Sequence, residues 1–348
     1  MAPQEWLIYI VAFAVSFAMS LLTTPLSKKI SIKLGAIDYP KKRGLHKEPI
    51  PRMGGVAIVF GFFVSMFVLM PFLEELKTVQ FFGFLVGASI IVVLGMLDDI
   101  YNLNSKIKLA VQIAAALVVV YTGTRIEMVM WPFTTYLETF SAPLTAFWII
   151  GVTNAVNLID GVDGLAAGVS SICSIFLMIL CILTGSPLAV VFTAALAGSC
   201  LGFLPRNFNP AELYMGDTGA TFLGFVLGVS SIMGLFKSYT LLAVVVAVLV
   251  MALPILDTTF AMLRRAINRK PIMSADRGHL HHRLIDMGYS QKQAVLILYV
   301  ISIITGTLAI LIALRDPLAT FVAGLFLVVL SLMVYVYRKR LTDKEEQD

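Results

Sequence analysis

Long apolar runs alternate with short polar gaps along this chain. Eleven runs approach the span of a bilayer core, which takes about 20 residues of helix. They are 6–26, 53–73, 80–97, 107–123, 143–158, 165–184, 187–204, 218–236, 239–259, 294–314 and 317–337. None shows the alternation of a barrel strand, and a backbone in lipid satisfies its hydrogen bonds only within helices or a closed barrel. The pattern predicts an all-α, polytopic transmembrane bundle. The gaps leave no room for a separate soluble domain. Residues 1–348 therefore read as one integral membrane domain, with loops at 27–52, 98–106, 159–164, 205–217 and 264–292.

Local signals refine this reading. Pro254 predicts a kink in the ninth span, because it has no N–H for the helix ladder. Gly288 reads as a helix C-cap, and Ser290 with Gln293 as a capping box opening the tenth span. Of the residues, 59% are hydrophobic and only 14% charged, against about 25% charged in soluble domains. In one set of gaps lie 22 of the 26 lysines and arginines. The positive-inside rule makes that side cytoplasmic, with the N-terminus outside and the C-terminus inside. The net charge of +5 is thus a matter of topology and gives no reason to expect nucleic acid. Cys173, Cys181 and Cys200 lie in apolar runs without paired spacing, which argues against disulfides and a thiolate metal site. The first residues lack a basic n-region, so no cleaved signal peptide is expected.

Five carboxylates fall in three motifs, all on the basic side: Leu97-Asp98-Asp99, Asn154-Ala-Val-Asn157-Leu-Ile-Asp160-Gly-Val-Asp163-Gly164 and Met215-Gly-Asp217-Thr-Gly219. Asp98 and Asp99 end a helix, where the macrodipole is already negative. A bound cation would relieve both repulsions, and a solvated helix end is the alternative. Asn154, Asn157 and Asp160 keep to one helical face, and Gly161 and Gly164 then let backbone approach a ligand. A polar helix contact is the weaker reading there. Asp217 by itself reads as an N-cap, which is compatible with ligation. His279, His281 and His282, flanked by Arg283, suggest a phosphate cradle; zinc is conceivable, but a closed site needs more ligands. Lys47 and Arg52 could meet phosphate beside Gly54 and Gly55. No ATP-binding loop or dinucleotide fingerprint is present, so the donor should be already activated.

In this order the motifs resemble those of the polyprenyl-phosphate N-acetylhexosamine-1-phosphate transferases, the family of MraY, WecA and TagO. Pro51 to Gly55, Leu97 to Asp99, Asn154 to Gly164, Met215 to Gly219 and His279 to Arg283 carry the likeness over nearly the whole chain. The resemblance implies a plasma-membrane enzyme with its site on the cytoplasmic face. There a polyprenyl phosphate attacks the β-phosphate of a UDP-amino sugar, UMP leaves, and Mg²⁺, or Mn²⁺ in its place, assists. It implies that Asp217 binds the metal. Asp98 and Asp99 lie beside it as catalytic and metal-side residues that orient or deprotonate the lipid phosphate. Asn154, Asn157, Asp160 and Asp163 would line the nucleotide pocket, and Tyr214 would lie against uracil. Lys47, Arg52, His279, His281, His282 and Arg283 would surround the phosphates. Homodimers occur in the family, and the sequence shows no interface signature.

Asn102, Arg52 and the His-Leu-His-His order depart from the MraY pattern and point to the WecA and TagO branch. The expected activity is transfer of GlcNAc-1-phosphate from UDP-GlcNAc to undecaprenyl phosphate, opening a cell-envelope glycan such as wall teichoic acid. Two rivals stand beside it. One is a phospho-MurNAc-pentapeptide transferase. The other is a cation-coupled secondary transporter, for which Asp257 after Pro254 is the nearest feature.

Overall fold

A computed structural model describes residues 3–40, 48–126, 138–235, 241–267 and 279–315. Its helices, in chain order, are α1 Pro3–Lys33, α2 Gly55–Leu69, α3 Val79–Tyr101, α4 Ser105–Tyr121, α5 Glu138–Ile159 and α6 Leu165–Thr184. They continue with α7 Pro187–Asn207, α8 Gly216–Leu235, α9 Leu241–Val250, α10 Ala252–Ile267, α11 Leu280–Asp286 and α12 Gln291–Ala313. The chain is an all-α membrane bundle. Among the described residues seven helices are long and apolar enough to cross a bilayer: α1, α3, α5, α6, α7, α8 and α12.

The eleven expected spans meet these helices unevenly. The second and fourth form helices of only 15 and 17 residues. The ninth is a pair, α9 and α10, bent by 88°. The eleventh lies outside the described residues. The bend falls at Met251, one turn before Pro254, because the proline has no N–H for the Val250 carbonyl. The Cys173 thiol lies 3.1 Å from that oxygen instead. The capping box forms as expected, with Gln293 N donating to Ser290 Oγ and Ser290 N to Gln293 Oε1. Gly288 takes a left-handed φ of +96° just past α11.

Helix α8 forms the axis on which the site depends. Its residues from Thr218 to Leu235 are all buried. Lipid offers little hydrophobic drive between helices, so close packing of small residues has to hold them. A Cβ on Gly55 of α2 would collide with Gly219, one on Gly95 of α3 with Thr218, and one on Gly224 with Thr153 of α5. Deeper in, Phe62 packs its ring against Phe84, Phe192 and Phe222 at 5.3–5.9 Å. These contacts bring the ends of α2, α3 and α5 up to the first turn of α8.

A two-stranded ladder, β1 Ile37–Asp38 and β2 Ile50–Pro51, leads into that region. Pro51 O accepts from Tyr214 N, and Tyr214 O from Gly54 N, each at 2.8 Å. The segment before α2 is thereby tied to the segment before α8.

Candidate active site

The first turn of α8 is capped from another helix. Asp99 Oδ1 accepts from Asp217 N at 2.8 Å, and Asp99 Oδ2 accepts from Thr218 N and Thr218 Oγ1 at 3.0 and 2.6 Å. The acidic end of α3 meets the positive end of the α8 dipole, so each relieves the other. Asp99 is 2% exposed, and both its oxygens are committed to α8. Asp99 thus takes the capping role that the sequence suggested for Asp217, whose side chain is not the cap.

Freed from capping, the Asp217 side chain turns to a polar cluster. Its Oδ1 accepts from Asn157 Nδ2, and its Oδ2 lies 3.3 Å from Lys108 Nζ. Lys108 Nζ also pairs with Asp98 Oδ2 at 2.5 Å, while Asp98 Oδ1 accepts from Leu103 N at 2.6 Å. Asp98 is nearly closed off, whereas the Asp217 side chain stays 32% exposed, so Asp217 is the carboxylate a ligand can reach. Four helices, α3, α4, α5 and α8, each contribute one member.

Lys108 was missed by motif reading, because a lysine in a basic gap is already explained by topology. A signal was present nonetheless. Lys108 and Gln112 are one turn apart on α4, and Gln112 is the one polar residue in its apolar stretch 109–120. Gln112 exchanges amide bonds with Asn154, whose Nδ2 donates to Gln112 Oε1 at 2.7 Å and to Ile150 O at 2.9 Å. Asn154 is therefore the polar helix contact, and Asn157 is the member of its motif that reaches Asp217.

Arg52 also holds structure. Its Nε and Nη2 donate to the Asp99 carbonyl at 2.9 and 2.6 Å, and Nη2 donates to Asn102 Oδ1 at 2.9 Å. Two of the three departures from the MraY pattern, Arg52 and Asn102, are thus partners at the C-terminus of α3, where a cation suits the dipole. Asp163 fixes the loop before α8, with its Oδ2 accepting from Asn209 Nδ2 and Ala211 N at 2.9 and 3.0 Å. Asn207 closes the same loop by donating to Leu213 O and accepting from Gly164 N. Tyr214 is half-buried beside it, and burial first, then Asp163, raises its phenol pKa. Lys47 lies outside the described residues.

Asp160, between α5 and α6, differs from its neighbours in making no side-chain hydrogen bond among the described residues. Burial, then the charges of Asp217, Asp99 and Asp163, push its pKa up to about 8. A carboxyl raised in the folded state favours folding at low pH. That contribution is lost as pH rises from the ordinary range near 4 through 8. Asp160→Asn should accordingly raise the melting temperature of the metal-free protein more at pH 8.5 than at pH 5. Thermal unfolding in detergent with chelator checks this, and an equal shift at both values would contradict it.

The histidine segment closes the far side. His281 Nε2 is buried without a hydrogen-bond partner among the described residues, and a Cβ on Gly161 would lie 3.0 Å from it. Burial, then His282, lowers its pKa to about 4, so the ring is neutral at physiological pH. His281 and His282 rings lie 4.3 Å apart in α11, and Arg283 follows in the same helix. His279 is held by Asp257 (Nδ1···Oδ2 2.8 Å). No three histidine, cysteine or acidic side chains converge on a metal-sized point among the described residues. A separate apolar groove of about 900 Å³ lies between α2, α3 and α4, with Ser89 its one polar residue. Having no charge, it is no place for phosphate chemistry.

Residues 81–235 match the model of glycosyl transferase family 4. A probable undecaprenyl-phosphate N-acetylglucosaminyl 1-phosphate transferase of Bacillus subtilis is 40% identical over 90% of this chain and 87% of its own. A decaprenyl-phosphate N-acetylglucosaminephosphotransferase of Mycolicibacterium smegmatis is 34% identical over 78% and 73%. A phospho-N-acetylmuramoyl-pentapeptide-transferase of Borrelia hermsii is 30% identical over 78% and 84%.

Proposed function

The chain belongs to glycosyl transferase family 4, the polyprenyl-phosphate N-acetylhexosamine-1-phosphate transferases, and on that premise we propose that it transfers GlcNAc-1-phosphate from UDP-GlcNAc to undecaprenyl phosphate at the cytoplasmic face of the cell membrane. The observation that carries this reading is the cluster of Asp98, Lys108, Asn157 and Asp217 at one end of a membrane bundle. A lipid phosphate oxygen attacks the β-phosphorus of the donor. The bond from that phosphorus to the bridging oxygen breaks, and UMP leaves with the electron pair. One pyrophosphate linkage replaces another, so no ATP is needed. The product opens a cell-envelope glycan.

The donor set at the cluster fits Mg²⁺, which is held by one or two carboxylates and completed by water and substrate phosphate oxygens. Asp217 would hold it with Asp98 beside it, while the Asp99 oxygens accept from the first turn of α8. When bound, the ion screens the charge of the two anionic substrates and polarises the transferring phosphoryl group. The protein's own part is positioning. Asn157 fixes the rotamer of Asp217, and Asp98 anchors Lys108 where its ammonium can meet incoming phosphate oxygens. A lipid phosphate is largely ionised at neutral pH, so no strong base is needed. Asp257, the feature that suggested a transporter, is tied to His279.

Purified protein with UDP-GlcNAc, undecaprenyl phosphate and Mg²⁺ should release UMP and form the lipid pyrophosphoryl sugar. UDP-MurNAc-pentapeptide should give neither. Turnover with the pentapeptide donor alone would transfer the assignment to the peptidoglycan branch, and no turnover with any UDP-HexNAc would remove the reading.

A further inference from the structure

Asp257 is a carboxylate of α10 and is 4% exposed. Such a group is costly unless it has a partner and a task. Its partners come from a separate segment of the chain. Oδ2 lies 2.8 Å from His279 Nδ1, and Oδ1 accepts from Leu280 N at 2.9 Å. The carboxylate can only accept, so it fixes the proton of His279 on Nδ1. It also holds the first residue of α11. His279 in turn faces His281, with ring planes within 4° of parallel and centroids 5.7 Å apart. His281 carries the Nε2 that, without a partner among the described residues, sits against Gly161, next to Asp160. The 88° break at Met251 turns α10 so that Asp257 meets this segment.

We propose that Asp257 is a positioning residue of the transfer reaction: through His279 and the start of α11 it sets where His281 stands at the Asp160–Gly161 turn, and so shapes the pocket for the UDP-sugar. This rests on the function proposed above. A misplacement of about 1 Å in such a supporting group can cost up to about a hundredfold in rate. The dyad acts as one unit, so its two members should not contribute additively.

The test uses the full-length protein in detergent with UDP-GlcNAc and undecaprenyl phosphate. Asp257→Asn keeps an acceptor for Leu280 N but removes the anion that fixes His279. It should raise KM for UDP-GlcNAc about tenfold or more with a smaller change in kcat. His279→Gln should do the same, and the double variant should be no worse than either. Asp257→Glu should recover part of the loss. Binding of UDP-GlcNAc by calorimetry, which needs no turnover, should weaken in parallel. Wild-type kinetics within twofold for Asp257→Asn, losses that add in the double variant, or a fall in melting temperature with unchanged KM would each overturn the proposal. The wild-type control keeps the two questions apart. If it releases UMP while Asp257→Asn is unaffected, only the positioning role fails; if it releases none, the functional reading fails first.

Discussion

Asp217→Asn is expected to lower UMP release roughly a thousandfold while leaving the melting temperature close to that of the parent. The side chain does not cap α8, so little of the fold depends on it. Asp99 makes all three capping bonds, and Asp217 serves α8 through its backbone N–H and carbonyl, not its carboxylate. The amide keeps the size of the carboxylate but removes the charge that a divalent cation and Lys108 both use. Steady-state UMP release and thermal unfolding on the same preparation check the two halves of this expectation. Near-normal turnover would take Asp217 out of the chemistry.

Lys108→Met should cost about a hundredfold in kcat/KM, with a telling effect on the metal. The ammonium lies between Asp98 Oδ2 and Asp217 Oδ2, where it competes with a cation for the same oxygens. Its removal should therefore lower the Mg²⁺ concentration for half-maximal activity even as the maximal rate falls. Lys108→Arg should rescue poorly, because a planar guanidinium fork does not replace a compact ammonium between two carboxylates. A magnesium titration of UMP release on the three proteins reads both effects. A higher magnesium requirement in Lys108→Met would mean that the lysine assists the cation, and the competition described here would be wrong.

Much of this molecule is legible in the chain because membrane helices announce themselves locally. Hydropathy marks the bundle, and the three acidic motifs stand out against apolar surroundings. Which carboxylate faces which partner was not legible. Asp98 and Asp99 are neighbours in sequence but point about 100° apart around the helix, so one reaches Lys108 and the other reaches α8. The sequence pattern treats them as a pair, and only the packing of α3 on α8 separates their roles. Lys108 was hidden for the opposite reason: the positive-inside rule explains any lysine in that gap. Asp257 was conspicuous but given no task in the site, since its partner lies 22 residues away in another segment. Short helices such as α2 escaped because their hydropathy equals that of a full span, and length is set by where Gly54 and Met70 end the helix.

The central claim is that Asp217 holds the divalent cation at the end of α8. The most direct measurement is Mn²⁺ binding followed by electron paramagnetic resonance on purified protein with UDP-GlcNAc present. The account predicts one bound Mn²⁺ that Mg²⁺ displaces and that Asp217→Asn no longer retains. Unchanged Mn²⁺ affinity in folded Asp217→Asn would contradict it.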